Sequence, residues 1–383
     1  MSRGARPPEL GPRLLFFSGG TALRPLSRCL KRLTHNSVHL ITPFDSGGSS
    51  AMLREAFGML SIGDLRNRLV ALADESVRGN PEIYRLFCHR LAADAEATVL
   101  RGELSSMVDG DHALMSAMPV ALAPVVRRLL GHFVARMPVS FDLRGANVGN
   151  LMIAGGYLEN ERDIAATLRL FSKLLEVRGV VLPIVDADLQ LAARLDSGEE
   201  LIGQHLLTGK EHAPIASPIE RLRLVSRHAE RCGERPAIGR RVEQLIGEAD
   251  LICYPMGSFY SSVLATLSPA GVGRAVAARR CPKVYIPNGG HDPEELGLDL
   301  EAAVERLEAT LALDFEASPE PLALLDIVLL DPRGLDARGL RGIEALRARG
   351  LQVFEAPLLG AAGARRDHFA PELLAKLLIS MAV

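Results

Sequence analysis

The sequence predicts an α/β protein with a Rossmann-like, mostly parallel sheet that carries helices on both faces. Three observations support this class: short apolar runs recur along the chain, most precede a longer segment with helical periodicity, and several end in glycine-rich turns. Continuous apolar runs are typical of parallel strands that are buried on both faces. The runs that predict strands are RLLFF at 13–17, VHLIT at 38–42, VVLPIV at 180–185, LICYPM at 251–256, KVYIP at 283–287, DIVLL at 326–330 and LQVFEA at 351–356.

Two segments interrupt this alternation. Residues 81–137 are almost wholly helical in pattern and predict a helical excursion from the sheet. Residues 189–225 contain LQLAARL, a DSGE turn, ELIGQHLL and IERLRLV, which together predict a small antiparallel β appendage. Because no internal repeat is present, we predict a single α/β domain over residues 1–383 that carries both additions.

The composition argues against several classes of partner. The chain of 383 residues is 48% hydrophobic and has a formal net charge of −2 with both signs mixed along it. We therefore expect a globular protein that binds neither nucleic acid nor a membrane. The local basic segment 221–231 is interpreted as a solvated face. The sequence leaves homo-oligomerisation open.

Cysteine and histidine usage predicts neither a disulfide framework nor a zinc site. The five cysteines are odd in number, widely spaced and without a Cys-x-x-Cys pair, and none of the ten histidines has metal-ligand spacing. This pattern indicates a reducing compartment. The leader lacks the apolar core of a signal peptide, and the longest uncharged stretch, 113–126, is short for a membrane span and contains two prolines. We therefore expect a cytoplasmic protein.

Two glycine-rich turns follow the first two predicted strands and are candidates for binding phosphate. Glycine lets a ligand approach the backbone, and a turn from a strand into a helix directs N–H groups and the positive end of the helix dipole towards an anion. We expect a phosphorylated ligand to lie across both turns; the alternative is two tight turns with no ligand. The candidate residues are Gly19, Gly20 and Thr21 in FFSGGTAL, and Gly47, Gly48, Ser49 and Ser50 in FDSGGSS.

Two carboxylates near these turns are candidates for holding Mg²⁺ and for catalysis. Asp45 lies in the second turn, and Asp64 opens the segment DLRNRLVALAD. Hard carboxylate oxygens suit Mg²⁺, which would neutralise the charge of a diphosphate beside them. The alternative, stronger for Asp64, is capping of a helix. Asn67 lies three residues after Asp64, on the same helical face, so both side chains can reach one ligand.

Two further turns supply candidate ligand contacts. Asn147, Gly149 and Asn150 precede an apolar helix, where carboxamides can hydrogen-bond a base or a ribose. Gly257 and Ser258 open another helical segment directly after a strand, as the first turn does. Helix capping is the alternative for the asparagines.

The glycine-rich and polar segments also carry a resemblance to a known family. In order, SGGTAL, FDSGGSS, GMLSIGDLRNRLVALAD, RGANVGN and GSFYSS resemble the motifs of the CofD-like family, which joins 2-phospho-L-lactate transferases to YvcK-type gluconeogenesis factors. The similarity is closest to the YvcK-type branch and covers nearly the whole chain apart from 81–137. The chain departs from the family pattern at Ser18 and Ala22 beside the first glycine pair, at Ser46 in place of aspartate, at Ala146 in place of histidine, and at GGHDPEEL in place of a Thr-Gln-Pro-Gly segment.

The resemblance implies a ligand with a nucleoside diphosphate, including nucleotide sugars, and two alternative functions. One is an enzyme of the 2-phospho-L-lactate transferase type, which moves a phosphorylated group from a nucleotide-activated donor to a hydroxyl. Such chemistry needs positioning and charge neutralisation rather than a covalent nucleophile, and no Ser-His-Asp or HExxH motif is present. The other is a non-catalytic regulator that binds a nucleotide sugar or a dinucleotide. The motifs are the same for both.

Overall fold

The computed structural model of the chain describes residues 7–76, 79–209, 212–226, 235–316, 322–335, 337–360 and 369–383. The first six residues of the leader and residues 227–231 of the basic segment lie outside these ranges. The chain divides into two compact units, one of Met1–Asp45 with Gly179–Val383 and the other of Ser46–Arg178. The single-domain organisation stays a prediction, and each unit is described below by itself.

The first unit contains the strands. A parallel sheet of seven strands and an antiparallel sheet of three are present among the described residues. All seven runs that predict parallel strands lie in the larger sheet, which confirms the predicted α/β class. The strands are β1 (Leu14–Ser18), β2 (Val38–Ile41), β3 (Val180–Pro183), β4 (Leu189–Leu195), β5 (Glu200–Ile202), β6 (Ile219–Ser226), β7 (Leu251–Tyr254), β8 (Lys283–Tyr285), β9 (Ile327–Leu330) and β10 (Gln352–Glu355).

The strand order places β1 in the interior of the parallel sheet, next to the middle strand β7. The order is β10-β9-β8-β7-β1-β2-β3, and every neighbouring pair is parallel. The chain therefore builds outwards from β1 through β2 and β3 on one side, and then returns to β1 and builds through β7 to β10 on the other. This reversal makes the boundary between β1 and β7 a topological switch point, where open α/β sheets bind ligands at the carboxyl ends of the strands.

Helices surround the strands of the first unit and make up most of the second. No helix among the described residues is long and apolar enough to cross a membrane. The α-helices are α1 (Arg24–Leu30), α2 (Gly48–Phe57), α3 (Gly63–Leu72), α4 (Pro81–Cys88), α5 (Ala97–Asp109), α6 (Ala113–Ser116), α7 (Ala123–Arg136), α8 (Val148–Glu159), α9 (Ile164–Leu174), α10 (Arg240–Gly247), α11 (Ala265–Leu267), α12 (Val272–Ala278), α13 (Leu300–Ala312), α14 (Ala337–Ala348) and α15 (Pro371–Met381).

Alternation of side chains along β1 explains why its sequence is apolar throughout. Leu15 and Phe17 pack into one core cluster, whereas Leu14 and Phe16 pack into a separate cluster on the other face of the sheet. Successive residues of a strand point to opposite faces, so a strand that is covered on both faces needs an unbroken apolar run. This burial fixes the position of the turn that follows β1.

The small antiparallel sheet confirms the predicted β appendage. Its order is β5-β4-β6, and both pairings are antiparallel. Leu191, Ala193 and Leu195 are alternate residues of β4, and all three enter the same core cluster as Leu15. The appendage is therefore joined to the core by one face of its central strand.

The second unit is helical in its described residues. Helices α4 to α7 lie within 81–137, and the unit extends further, from α2 to α9. Its interior contains the aromatic rings of Phe57, Phe133 and Phe141, whose centroids lie 5.5–6.3 Å apart. Helices α7 and α8 approach closely at Gly155, where a Cβ atom would lie 1.9 Å from the backbone oxygen of Leu129. Glycine at this position permits that packing.

Candidate functional site

The turn after β1 is held in a space that admits only glycine at its first position. A Cβ atom on Gly19 would lie 2.5 Å from Oγ of Ser262 and 2.8 Å from Cγ2 of Thr42. These distances are shorter than non-bonded contacts allow, so the absence of a side chain lets the two neighbouring segments approach the turn. Gly20 is half-buried and Thr21 is exposed, which places the rest of the turn towards solvent.

A buried hydroxyl lies beside this turn. Thr42 follows β2 directly, is 1% exposed, and donates its backbone N–H to the oxygen of Ser18 at 3.1 Å. Its Oγ1 atom has no hydrogen-bond partner among the described residues. Because buried hydroxyls are normally hydrogen-bonded, this atom is a candidate contact for a ligand at the end of β2. Asp45, three residues further on, is half-buried.

The segment after β7 begins with a glycine in an unusual backbone conformation, and a side-chain amide forms hydrogen bonds to it. Gly257 has a φ of 149°, which residues with a Cβ atom rarely adopt. Its N–H donates to Oδ1 of Asn288 at 2.8 Å, and Nδ2 of Asn288 donates back to the oxygen of Gly257 at 2.9 Å. The predicted helical opening at Gly257 and Ser258 is present as a π-helix over Phe259–Leu264 that continues into α11.

The first N–H groups of this π-helix bind carboxylates of the chain itself. Phe259 donates to Oδ2 of Asp292 at 2.8 Å, whereas Tyr260 and Ser261 donate to Oε2 of Glu294 at 2.9 and 2.8 Å. These are the groups that an anion would need at the start of a helix. Gly257 and Ser258 therefore remain predicted ligand contacts, while the N–H groups behind them serve an internal cap.

Burial sets the protonation of these acidic residues. Glu294 is fully buried, and burial together with the neighbouring Asp292 raises its pKa to about 7, against three hydrogen bonds that favour its anion. Burial and the same aspartate raise the pKa of Glu295 to about 8. The acidic segment thus contains two carboxyl groups that titrate near neutral pH.

Sequence reasoning recognised the segment GGHDPEEL as a departure from the family pattern but missed its role. Asp292 and Glu294 lie 33 residues beyond the N–H groups that they cap. The signal that could have found them is the pair of acidic residues directly after a strand end, since acidic side chains are the usual partners of a helix N-terminus.

In the second unit, the structure brings two of the predicted residues together. Ser49 lies in the first turn of α2, and its Oγ accepts a hydrogen bond from Nδ2 of Asn150 at 3.3 Å. Asn150 is 3% exposed, and its Oδ1 atom has no partner among the described residues. Gly48 has a φ of 48°, and nothing lies within 4 Å of the place where its Cβ atom would be. The start of α2 therefore combines an open glycine turn with a polar side chain that lacks one hydrogen bond.

Two other predicted residues of this unit have structural roles that the geometry explains. Asn147 caps α8, accepting a hydrogen bond from the N–H of Asn150 at 3.2 Å and donating to the oxygen of His89 at 3.0 Å. A Cβ atom on Gly149 would lie 2.4 Å from the oxygen of Phe87, so glycine permits close packing there. Both residues position Asn150.

Helix α3 presents its predicted residues beside arginines. Asp64 lies in the first turn of α3, and its charge opposes the effect of burial, which lowers the pKa of Arg68 to about 10. Asn67 accepts a hydrogen bond from the guanidinium of Arg66 at 2.5 Å. Ser61, just before α3, has a buried hydroxyl with no partner among the described residues.

The candidate Mg²⁺ ligands have suitable donor chemistry. Mg²⁺ is commonly bound by one or two carboxylates together with phosphate oxygens and water. Asp45 and Asp64 each supply a hard oxygen donor of this kind, and neither belongs to a cluster of three metal-ligating groups among the described residues. Asp45 belongs to the first unit and Asp64 to the second, so each stays a predicted Mg²⁺ ligand by itself.

Comparisons with known proteins agree with the family resemblance of the motifs. A family model described as 2-phospho-L-lactate transferase CofD matches residues 14–358. A putative gluconeogenesis factor of Thermoanaerobacterium thermosulfurigenes is 29% identical over 300 residues, which are 78% of this chain and 74% of that protein. The gluconeogenesis factor of Bacillus subtilis strain 168 is 28% identical over 284 residues, which are 74% and 70% of the two chains. A UPF0052 family protein of Bacillus halodurans, a crystal structure, has a similar fold, with a TM-score of 0.69 at 22% identity over 96% of this chain and 99% of that one.

Proposed function

Because the chain belongs to the 2-phospho-L-lactate transferase CofD family, we propose that it binds a nucleoside-diphosphate ligand and transfers a phosphorylated group from it to a hydroxyl. The observation that carries this proposal is the position of the turn at Gly19. It follows the interior strand β1 at the switch point of the sheet, where α/β proteins bind nucleotides. The proposal names no base and no acceptor.

The polar groups around the turn support a phosphate contact. Gly20 and Thr21 bring the backbone towards the surface after β1, and the side chain of Thr42 lies beside the buried Gly19, with a hydroxyl that has no protein partner among the described residues. A phosphate oxygen that accepts from this hydroxyl would satisfy a buried donor whose present state is costly. The free energy of ligand binding is therefore more favourable, because the ligand supplies the hydrogen bond that the Thr42 hydroxyl lacks in the free protein.

The second unit has a candidate polar contact of its own at Ser49 and Asn150. Nδ2 of Asn150 donates a hydrogen bond to Oγ of Ser49, and Oδ1 of the same amide is left to accept one. An acceptor in this position suits the amino group of a base or a ribose hydroxyl. We propose this role for Asn150 and assign Asn147 to the cap that holds it.

The proposed transfer follows the chemistry of phosphoryl compounds. The acceptor hydroxyl oxygen attacks the outer phosphorus of the donor, the bond from this phosphorus to the bridging oxygen breaks, and a nucleoside monophosphate leaves. The hydroxyl proton passes to solvent, and Asp45 is the candidate for holding Mg²⁺ during the transfer. Bound Mg²⁺ would neutralise charge on the phosphate oxygens. The residues of the turn contribute by orienting the diphosphate, which is most of what this class of reaction requires.

The gluconeogenesis factors among the relatives favour a second candidate function. Two of these relatives carry the name gluconeogenesis factor. We propose as the alternative a regulator that binds a nucleotide sugar or a dinucleotide and changes its contacts with a partner protein. The internal cap at the start of the π-helix favours this alternative too, because Asp292 and Glu294 fill a position where a second anion could otherwise bind. Turnover separates the two functions, since a regulator has none.

Binding is tested with the full chain and a ligand panel. UDP-sugars, GDP, GTP and NAD are added with and without Mg²⁺, and the melting temperature is measured. A hundredfold excess over the dissociation constant should stabilise the fold by about 2.7 kcal/mol. Ser49→Ala should weaken the effect, whereas Ser105→Ala, which alters an exposed serine of α5 in the same unit, should leave it unchanged. The absence of a shift with every ligand would contradict the proposal.

A further inference from the structure

Three side chains in the second unit converge although they are far apart in the sequence. His89 follows the carboxyl end of α4, Glu103 lies in the middle of α5, and His112 precedes α6. The ligand atoms of these three residues all lie within 4.8 Å of one another. The sequence interpretation that no histidine has metal-ligand spacing overlooked this group, because its separations of 14 and 9 residues match no local motif.

The distances describe a cluster in which the glutamate is central. Nε2 of His89 lies 2.9 Å from Oε1 of Glu103, and Nε2 of His112 lies 3.8 Å from the same oxygen. The side chains are 20–30% exposed, so a dissolved ion can reach them. Two imidazole nitrogens and one carboxylate oxygen form a donor set that zinc enzymes use, with one coordination position left for water.

We propose that His89, Glu103 and His112 bind a divalent transition metal, with Zn²⁺ as the best match to the donors. Two neutral imidazoles select against Mg²⁺ and Ca²⁺, which prefer oxygen ligands throughout. The carboxylate supplies the negative charge that a dication requires. This site shares no residue with the proposed Mg²⁺ ligands Asp45 and Asp64.

The hydrogen bonds of the metal-free cluster show what the ion displaces. Nδ1 of His112 accepts a hydrogen bond from the N–H of Leu114 at 3.2 Å, so neutral His112 carries its proton on Nε2. Zn²⁺ bound at Nε2 of each histidine shifts the proton of the neutral imidazole from Nε2 to Nδ1, so that Nε2 of His89 also gives up its hydrogen bond to Glu103. His112 then carries its proton on Nδ1 and loses the long bond to Leu114. The exchange removes one weak helix cap and forms three metal bonds.

The site also lies directly behind the residues that position Asn150. The backbone oxygen of His89 accepts hydrogen bonds from the N–H of Val148 at 2.9 Å and from Nδ2 of Asn147 at 3.0 Å. A metal bound to the side chain of His89 therefore restrains the segment that holds the first turn of α8. We infer a structural role for the ion, which joins the ends of α4 and α6 to the middle of α5.

The experiment uses the full chain after treatment with a chelator, and the probe is Zn²⁺ alone. Calorimetric titration should show one saturable Zn²⁺ per chain, and Co²⁺ in the same site should give the visible absorption of a low-symmetry complex with nitrogen and oxygen ligands. Glu103→Gln, His89→Asn and His112→Asn should each weaken Zn²⁺ binding by roughly tenfold or more, by analogy with the loss caused by altering the surroundings of metal sites. His112→Asn keeps an oxygen that can cap α6, so this variant tests the metal without removing the cap.

A matched control excludes adventitious binding to surface histidines. His205 and His212 form another imidazole pair, with ring centroids 5.3 Å apart, in the first unit. His205→Asn should leave the affinity for Zn²⁺ and the Co²⁺ spectrum unchanged. The proposal is overturned if the wild-type chain shows no saturable binding, or if the three cluster variants bind Zn²⁺ as tightly as the wild type. Far-ultraviolet circular dichroism of each variant establishes that it is folded before its affinity is compared.

Discussion

Replacing Thr42 by valine should raise the stability of the protein and weaken its ligand binding. The side chain is 1% exposed, and its hydroxyl has no partner among the described residues. Valine has nearly the same shape and carries a methyl group in place of the hydroxyl. A buried hydroxyl without a partner costs about 1–3 kcal/mol, so its removal should raise the free energy of unfolding by about 1 kcal/mol.

The same substitution should weaken ligand binding although it raises the stability of the free protein. If a phosphate oxygen accepts a hydrogen bond from Thr42, the variant loses a bond to a charged group, worth about 1.5–3 kcal/mol. This loss corresponds to roughly a tenfold or greater increase in the dissociation constant. Urea unfolding of the ligand-free protein gives the first quantity, and calorimetric titration with the ligand from the panel gives the second.

Thr34→Val provides the matched control in the same unit. Thr34 is fully buried, donates to the oxygen of Pro12 at 2.8 Å and accepts from the N–H of Asn36 at 3.1 Å. Its replacement should destabilise the protein by about 1–3 kcal/mol, because a backbone acceptor and a backbone donor lose their partner, and should leave affinity unchanged. The reasoning is refuted if Thr42→Val destabilises the protein as Thr34→Val does while ligand affinity stays the same.

The remaining predictions concern the glycine turn and the internal cap. Gly19→Ala should destabilise the first unit by about 1–3 kcal/mol, since its Cβ would lie 2.5 Å from Oγ of Ser262, and Ser262→Gly added to it should recover part of the loss in thermal unfolding. Glu294 has a folded pKa of about 7 against an ordinary value of 4.5, so the stability that its protonated form contributes is complete below pH 4.5 and is lost as pH rises through about 7. Urea unfolding across this window should show the decline, to which Glu295 with its pKa of about 8 also contributes, and Glu294→Gln should make the decline shallower by the contribution of one carboxyl group. An equally steep decline in the variant would exclude Glu294 from it.

The sheet was predictable because its strands are buried on both faces. A run such as LLFFS leaves little alternative to a central parallel strand, since Leu15 and Phe17 enter one core and Leu14 and Phe16 the other. The antiparallel appendage was predictable for a related reason, because its turn residues and alternating pattern are local features. In both cases the residues that are adjacent in the sequence are enough to predict a strand.

The candidate site was only partly predictable because its polar contacts join distant segments. The caps from Asp292 and Glu294 to the π-helix cross more than thirty residues, and no local pattern assigns one partner to the other. Asn147 and Asn150 look alike in the sequence, yet one caps α8 and the other has a buried oxygen without a partner among the described residues. The difference depends on where Ser49 and the end of α4 lie, which only the folded unit reveals.

The division into two units was not predicted either. The boundary falls between Asp45 and Ser46, inside the motif FDSGGSS. That motif therefore supplies Asp45 to the unit that contains the sheet and Gly47 to Ser50 to the helical unit. A motif that is continuous in the sequence gives no sign of such a division, since the boundary depends on the packing of segments more than a hundred residues apart.

The central claim is tested most directly by following the release of nucleoside monophosphate. The full chain is incubated with Mg²⁺, a nucleotide-activated phospholactate and hydroxyl acceptors, and the product is quantified over many turnovers. The account predicts sustained release that requires an acceptor and that falls far more than ligand affinity does in Asp45→Asn, because charge neutralisation matters most as transfer proceeds. Ligand binding without any release from any donor would contradict the transferase and leave the regulator, whereas full release by Asp45→Asn would remove this residue from the mechanism.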